Sequence, residues 1–257
     1  METELGSALF IRSKQGVYLT NYGKELFPYI KNVQNSEEYL QQAVAQIGGM
    51  EKGVVRIGTF NSACVEWMPS LLRGFEKDYP NIRIDIYQGS YDDVYQWLKD
   101  GIVDLGFLSS TSAGDLPCTP IYQDKIICVA PQGFKTKNEG YITIEELKKQ
   151  RFVTQREGCD ADVNHVMNKY DLPGGGGSYI ADDMSAVSLV MGGFGVCLMP
   201  ELVIRNIPFP VDVIPLEVEE KRTIVLAYVR SDVLAPAVQK MQSYILESFQ
   251  KKAEEEQ

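Results

Sequence analysis

The chain has 257 residues, of which 44% are hydrophobic and 23% charged, an ordinary balance for a globular protein long enough for more than one domain. It carries a formal charge of −10, which argues against indiscriminate nucleic-acid binding over the whole surface but leaves room for a local DNA-reading element. No stretch approaches the ~18 apolar residues of a membrane span, and "METELGSALFIRSK" lacks the basic and apolar regions of a signal peptide. A cytoplasmic protein with no membrane partner is therefore expected.

The first section is residues 1–20. "METELG" reads as a last turn of helix stopped by Gly6. "LFIRS" and "GVYLT" read as two short strands around the polar turn "SKQG". Arg12, Ser13 and Lys14 lie at the tip of that hairpin and are candidates for phosphate contacts, which position a protein on DNA without reading sequence. Residues 1–52 hold five Lys/Arg against six Asp/Glu, so nearly all the acidity lies further on.

The second section, residues 21–49, reads as one long helix with Thr20 as its N-cap. Gly23 falls in the first turn, and Pro28 predicts a bend or a weak start. Apolar residues recur at Leu26, Ile30, Val33, Leu40, Val44 and Ile47, with Glu37 in the skipped position. That 3.5-residue repeat marks a helix packed along a seam on another helix, hence a dimer. The alternative is a helix lying on its own domain. Gly48 and Gly49 end the helix and open a hinge.

From Gly53 onward, strands and helices alternate. "VVRIGT", "IRIDIY" and "VDLGFL" read as strands separated by two amphipathic helices, one of them capped by Ser90 and stopped by Gly101. A second series follows: strands at "KIICVAP", "RFVTQ", "SYIAD" and "GVCLMP", with helices between them and a capping box at Thr143 and Glu146. "TIVLAYVRS" is a last strand and "PAVQKMQSYILESF" a last helix. The stretch 118–124 can cross from one α/β unit to the other, and the region near 216–228 can cross back. This divides the region into lobe I (53–124 plus 225–250) and lobe II (125–224), with a cleft between the sheets where ligands bind in open α/β folds. "PGGGGS" (173–178) is a flexible connector, natural or engineered, and not a phosphate cradle.

Several stretches, taken in order, resemble the LysR-type transcriptional regulators. "LGSALFIRSKQGVYLTNYG" is similar to the end of that family's recognition helix and its wing. "GVVRIGT", "MPSLLRGFEKDYPNIRIDIYQG", "LKDGIVDLGF" and "MGGFGVCLMPEL" are similar to successive parts of its effector domain. The resemblance implies an α/β fold with a two-lobed effector domain like type 2 periplasmic binding proteins, preceded by a winged-helix remnant and a dimerising linker helix. It implies promoter DNA, a small-molecule effector and a homodimer or tetramer as partners. Members carry two further helices and most of a recognition helix ahead of the position matching Met1, so impaired DNA binding is expected of the chain as written.

Candidate effector contacts gather at strand ends. Asn61 and Ser62 stand at the first helix N-terminus of the effector region, where free N–H groups favour an anion; Ser62 as a plain N-cap is the simpler reading. Ser109 and Ser110 follow the third strand, and "VTQREG" offers Thr154, Gln155 and Arg156. Arg156 can pair a carboxylate, suggesting an anionic effector, or be a solvated surface charge. Phe194, between Gly193 and Gly195, faces the cleft or belongs to the core. "GGFG" falls short of a dinucleotide fingerprint. Asp182 and Asp183 suit a helix start better than an acid pair.

His165 is the only histidine. The five cysteines show no C-x-x-C spacing and read as reduced thiols. No metal site or cofactor motif is evident, nor a nucleophile–base set. The expectation is a ligand-controlled DNA-binding regulator and not an enzyme; the alternatives are a cytoplasmic solute-binding protein without a DNA role and an enzyme on the same bilobal plan.

Overall fold

A computed structural model describes residues 2–155, 160–174, 180–205, 209–228 and 234–255. Arg156, Cys159 and the glycines Gly175 to Gly177 lie outside the described residues.

The N-terminal section is a short helix α1 (Glu2–Leu5) and a hairpin of β1 (Phe10–Ser13) and β2 (Gly16–Leu19), followed by α2 (Asn21–Ile47). Gly6 takes the left-handed conformation, at φ 66°, that stops α1. Thr20 caps α2 by accepting from the Gly23 N–H at 2.9 Å. Gly23 has to be glycine, because a Cβ there would run into the Leu9 carbonyl of the chain entering the hairpin. Pro28 lies inside α2, which continues through it as one helix of 27 residues.

The α/β region then runs β3 (Gly53–Thr59), α3 (Asn61–Asp78), β4 (Ile82–Gln88), α4 (Tyr91–Lys99), β5 (Leu105–Ser109) and β6 (Cys118–Pro131). It continues with α5 (Ile144–Leu147), α6 (Ala161–Lys169), α7 (Asp183–Met191), β7 (Cys197–Pro200), α8 (Glu201–Ile204), β8 (Val211–Pro215), β9 (Lys221–Tyr228) and α9 (Pro236–Glu255). The capping boxes at Ser90–Asp93 and Thr143–Glu146 start α4 and α5.

Strand order is β4-β3-β5-β9-β6-β7, with β8 also on β6. β3 is parallel to β4 and β5, whereas β9 runs antiparallel to β5 and β6. The 14-residue β6 belongs to two sheets. Residues 118–125 pair with β9, and residues 126–131 pair with β7 and β8. One strand therefore carries the chain from the first body to the second, and β9 brings it back.

Neither "RFVTQ" nor the described part of "SYIAD" is a full strand. They contribute single parallel bridges, Phe152 to Val196 and Gln155 to Ile180.

In the first body, Trp67, Phe75, Phe107, Leu226 and Met241 share one core. Each fully buried aromatic or aliphatic side chain contributes about 1.5–3 kcal/mol. The period-two pattern of β6 splits the second body. Ile126 and Cys128 face one cluster with Leu147 and Val166, and Ile127 and Val129 face another with Val187 and Cys197. The described cysteines, Cys64, Cys118, Cys128 and Cys197, are free thiols.

α2 follows the second reading of its sequence along one face and leaves its apolar repeat uncovered. Its polar face lies on its own domain: Asn35 Nδ2 donates to the Gly101 carbonyl at 2.8 Å and the Tyr39 hydroxyl to Asp104 at 2.9 Å. Arg56 donates to Glu38 at 2.8 Å, and its backbone N–H donates to Asp104 at 2.7 Å. The apolar repeat points away; Val33 is 72% and Ile47 89% exposed.

Candidate functional site

Between the two bodies lies a cleft of about 440 Å³, within the range of small-molecule sites. Its lining includes the starts of α3 and α4, β9, and Gln155, Asp160 and Asp183 of the second body. β3 ends at Thr59 and α3 begins at Asn61, so the first residues of α3 open onto the cleft. The helix has Phe60 as N-cap, with no side-chain cap bond, and Ser62 is in its first turn. Ser62 is therefore not the N-cap that its position suggested. It accepts a hydrogen bond from Arg222 Nη2 at 3.0 Å.

Arg222 is the hub. It sits on β9 opposite Asp124 on β6 and is 3% exposed. Its Nε and Nη2 donate to Asp124 Oδ2 at 3.0 and 2.7 Å, and its Nη1 donates to the Tyr91 hydroxyl at 2.6 Å. Asp124, 1% exposed, also accepts from the Leu202 N–H at the start of α8 at 3.0 Å. Burial pushes the Asp124 carboxyl upward, against the pull of Arg222. Burial also raises the Tyr91 phenol, which stays protonated. One guanidinium thus ties the starts of α3 and α4 to the two strands that join the bodies.

The opposite wall carries acids. Asp160 caps α6 by accepting from the Val163 N–H at 3.0 Å. Burial pushes its carboxyl up to about 6, more than nearby Arg222 can offset. Asp182 caps α7 through Ser185. Asp183 accepts from Gln155 at 2.6 Å and from Asn61 at 3.2 Å, and the bond from Asn61 crosses the cleft. A second crossing runs from the Thr111 hydroxyl to Asp162 at 3.0 Å.

Among the sequence candidates, Asn61, Ser62 and Gln155 line the cleft. Thr154 lines a side cavity of about 20 Å³, the space of a water molecule, that shares Gln155, Asp160 and Asp183 with the cleft. The structure does not bring Ser109, Ser110 or Phe194 there. Ser109 is buried against the Thr111 hydroxyl, and Ser110 is exposed, its N–H on the Thr223 carbonyl. Phe194 is neither in the core nor among the cleft residues; it is 52% exposed. Arg156 lies outside the described residues. Sequence reasoning missed Arg222, Tyr91, Asp124 and Asp160. The available signal was a charged pair placed at the two points where the chain changes sheet.

At the far end, β1 and β2 pair with Arg12 opposite Val17 and Ser13 opposite Gly16. Arg12 and Lys14 are exposed. Ser13 Oγ is used within the turn, donating to the Gly16 carbonyl and accepting from the Gln15 N–H.

Residues 48–250 match the family model for the LysR substrate binding domain. The chain belongs to the LysR-type transcriptional regulators. YvbU of Bacillus subtilis, an uncharacterized HTH-type transcriptional regulator, is 24% identical over 85% of this chain and 75% of its own length. GltC of the same organism, a transcriptional dual regulator, is 25% identical over 98% of this chain and 86% of its own. The fold is that of a H2O2-bound OxyR mutant from Corynebacterium glutamicum (TM-score 0.71, 21% identity, 97% of this chain and 81% of that one). It is also that of the QuiR effector binding domain in complex with shikimate (TM-score 0.70, 19% identity, 78% and 98%). The two α/β bodies are thus the effector-binding domain of a LysR-type regulator, of the periplasmic-binding-protein-like kind. The curated relatives are named as regulators, which does not favour a plain solute-binding role. Among the described residues, no helix is long and apolar enough to cross a membrane.

Proposed function

We propose that this LysR-type regulator takes its input from a small molecule held between lobe I (53–124 and 225–250) and lobe II (125–224), contacted by Asn61, Ser62 and Gln155. The observation that carries this reading is the Arg222 hub. It places cleft-lining groups, Ser62 and Tyr91, on the same guanidinium as Asp124, where the chain changes sheet. A ligand that touches these groups acts at the junction of the lobes, and it shifts the lobe arrangement to the extent that it prefers one arrangement over another. The cleft is a binding site in this reading, not a catalytic one.

The output is carried by α2 and the hairpin. The exposed apolar stripe from Val33 to Ile47 is the seam of a homodimer, or of the dimers within a tetramer. Arg12 and Lys14 supply phosphate contacts to promoter DNA in the cytoplasm.

A thermal-shift screen of metabolites tests the input. Compounds that raise the melting temperature are expected to lose most of that effect in Ser62→Ala/Gln155→Ala. Undiminished shifts in the double variant would remove the cleft as the site.

A further inference from the structure

The cleft presents hydroxyl and backbone donors on one wall and carboxylate acceptors on the other. On the lobe I wall, the Ser62 and Tyr91 oxygens each accept from Arg222. A hydroxyl that accepts still has its own proton to give. Among the described residues, neither proton meets an acceptor, although both side chains are buried. The α3 N-terminus adds backbone N–H groups with no side-chain cap.

The lobe II wall is the reverse. Asp160 spends one oxygen on the Val163 N–H, and its other oxygen has no partner among the described residues. Two residues on, Asp162 is only 6% exposed. It takes the Thr111 hydroxyl on one oxygen, while its Oδ2 is buried without any partner among the described residues. Both carboxylates lie within electrostatic reach of Tyr91 and of each other. Asp162 is not itself a cleft residue, and its charge acts on the cleft through Asp160, which is. The Arg222 charge acts on Asp160 as well as on Asp124, with which it is paired, so it offsets this wall only in part.

Two simple ligand classes fit badly. A dicarboxylate brings like charge to Asp160, and a plain amine leaves the Ser62, Tyr91 and α3 donors unused. A molecule with a carboxylate beside an ammonium answers both walls. We propose that the effector is an amino acid. Its α-carboxylate lies on the first N–H groups of α3 and the Ser62 and Tyr91 hydroxyls. Its ammonium lies on Asp160, with Asp162 reinforcing the field from within the lobe. The rest of the cleft, toward Gln88 and Gln155, receives a polar side chain. This deepens the reading of the cleft given above and rests on it.

Calorimetric titration of the full chain with the common L-amino acids tests the proposal, each amino acid run beside its des-amino acid and its decarboxylated amine. At least one amino acid is expected to bind, with both truncated analogues about tenfold or more weaker, the loss of one charge-assisted contact. Asp160→Asn keeps the capping oxygen. It should weaken the amino acid by a similar factor and leave the des-amino acid unchanged, whereas Ser62→Ala should weaken both. Far-UV circular dichroism verifies that the variants are folded. The proposal is overturned if no amino acid binds, if the des-amino acid binds as tightly as its parent, or if Asp160→Asn has no effect. A des-amino acid that binds as tightly as its parent and is lost in Ser62→Ala overturns the amino-acid assignment alone. An amino acid indifferent to both variants overturns the cleft reading as well.

Discussion

Arg222 and Asp124 form an ion pair almost wholly withdrawn from water, so removing one member should be far worse than removing both charges. Arg222→Met leaves the Asp124 carboxylate with the Leu202 N–H as its remaining donor among the described residues. Urea denaturation should report a loss of about 3–5 kcal/mol, and Arg222→Met/Asp124→Asn should recover a substantial part of it. Asp160 makes the opposite prediction. Its folded-state value, about 6, lies above the ordinary 3.8, so the native state takes up a proton between those values before the unfolded state does. Native stability from this group is greatest below pH 4 and declines as pH rises through 6. Asp160→Asn, which keeps the α6 cap, should therefore melt at a higher temperature than the parent at pH 7, with the gap closing toward pH 4; equal melting curves at pH 7 would contradict this. Arg222, Tyr91, Asp162 and Asp183 are the charged or titratable groups acting on Asp160, and the titration has to be read with all four present. Little of this was legible in the sequence. Ser62 was singled out from its place at a strand-to-helix turn, but its partner lies 160 residues away and Tyr91 reaches Arg222 across 131. No local pattern encodes such a meeting.

Elements were more legible than side chains, because periodicity and caps are local. Thr20, Ser90 and Thr143 all begin helices as their sequence neighbourhood implies. "RFVTQ" and the described part of "SYIAD" fall short of strands because pairing needs a partner edge, which β-propensity does not supply. For α2, the apolar repeat and the self-docking alternative were both visible, yet not that they occupy opposite faces. The polar residues Asn35, Glu38, Tyr39 and Gln42 recur at helical spacing just as the apolar ones do. The two faces can be tested apart. Leu40→Lys/Val44→Lys should halve the mass seen by light scattering, without loss of melting temperature in the effector domain. Tyr39→Phe strips a buried carboxylate of one donor. It should cost about 1–3 kcal/mol in denaturant unfolding while leaving the oligomer intact.

At the scale of the molecule, hydrogen bonds among the described residues join the lobes, Asn61 to Asp183, Thr111 to Asp162 and Arg205 to Tyr122 among them. They add to the Arg222 hub in holding the lobes together. Asn61→Ala/Thr111→Ala should increase the radius of gyration of the effector domain in small-angle scattering; an unchanged curve would mean that the remaining links, the Arg222 hub and the Arg205–Tyr122 hydrogen bond among them, set the lobe arrangement. The docking of α2 reaches further. Asn35, Glu38 and Tyr39 hold the helix at a fixed rotation against lobe I, so Gly48 and Gly49 do not uncouple it. At ~1.5 Å per residue the hairpin end of α2 at Asn21 lies roughly 20–27 Å from the docked turn, and a tilt of ~5° at the lobe moves that tip by about 2 Å. The hairpin bearing Arg12 and Lys14 rides at that tip, so α2 is a lever bolted to one lobe, and a shift at the cleft too small to alter any strand becomes a displacement of the residues proposed to contact phosphate.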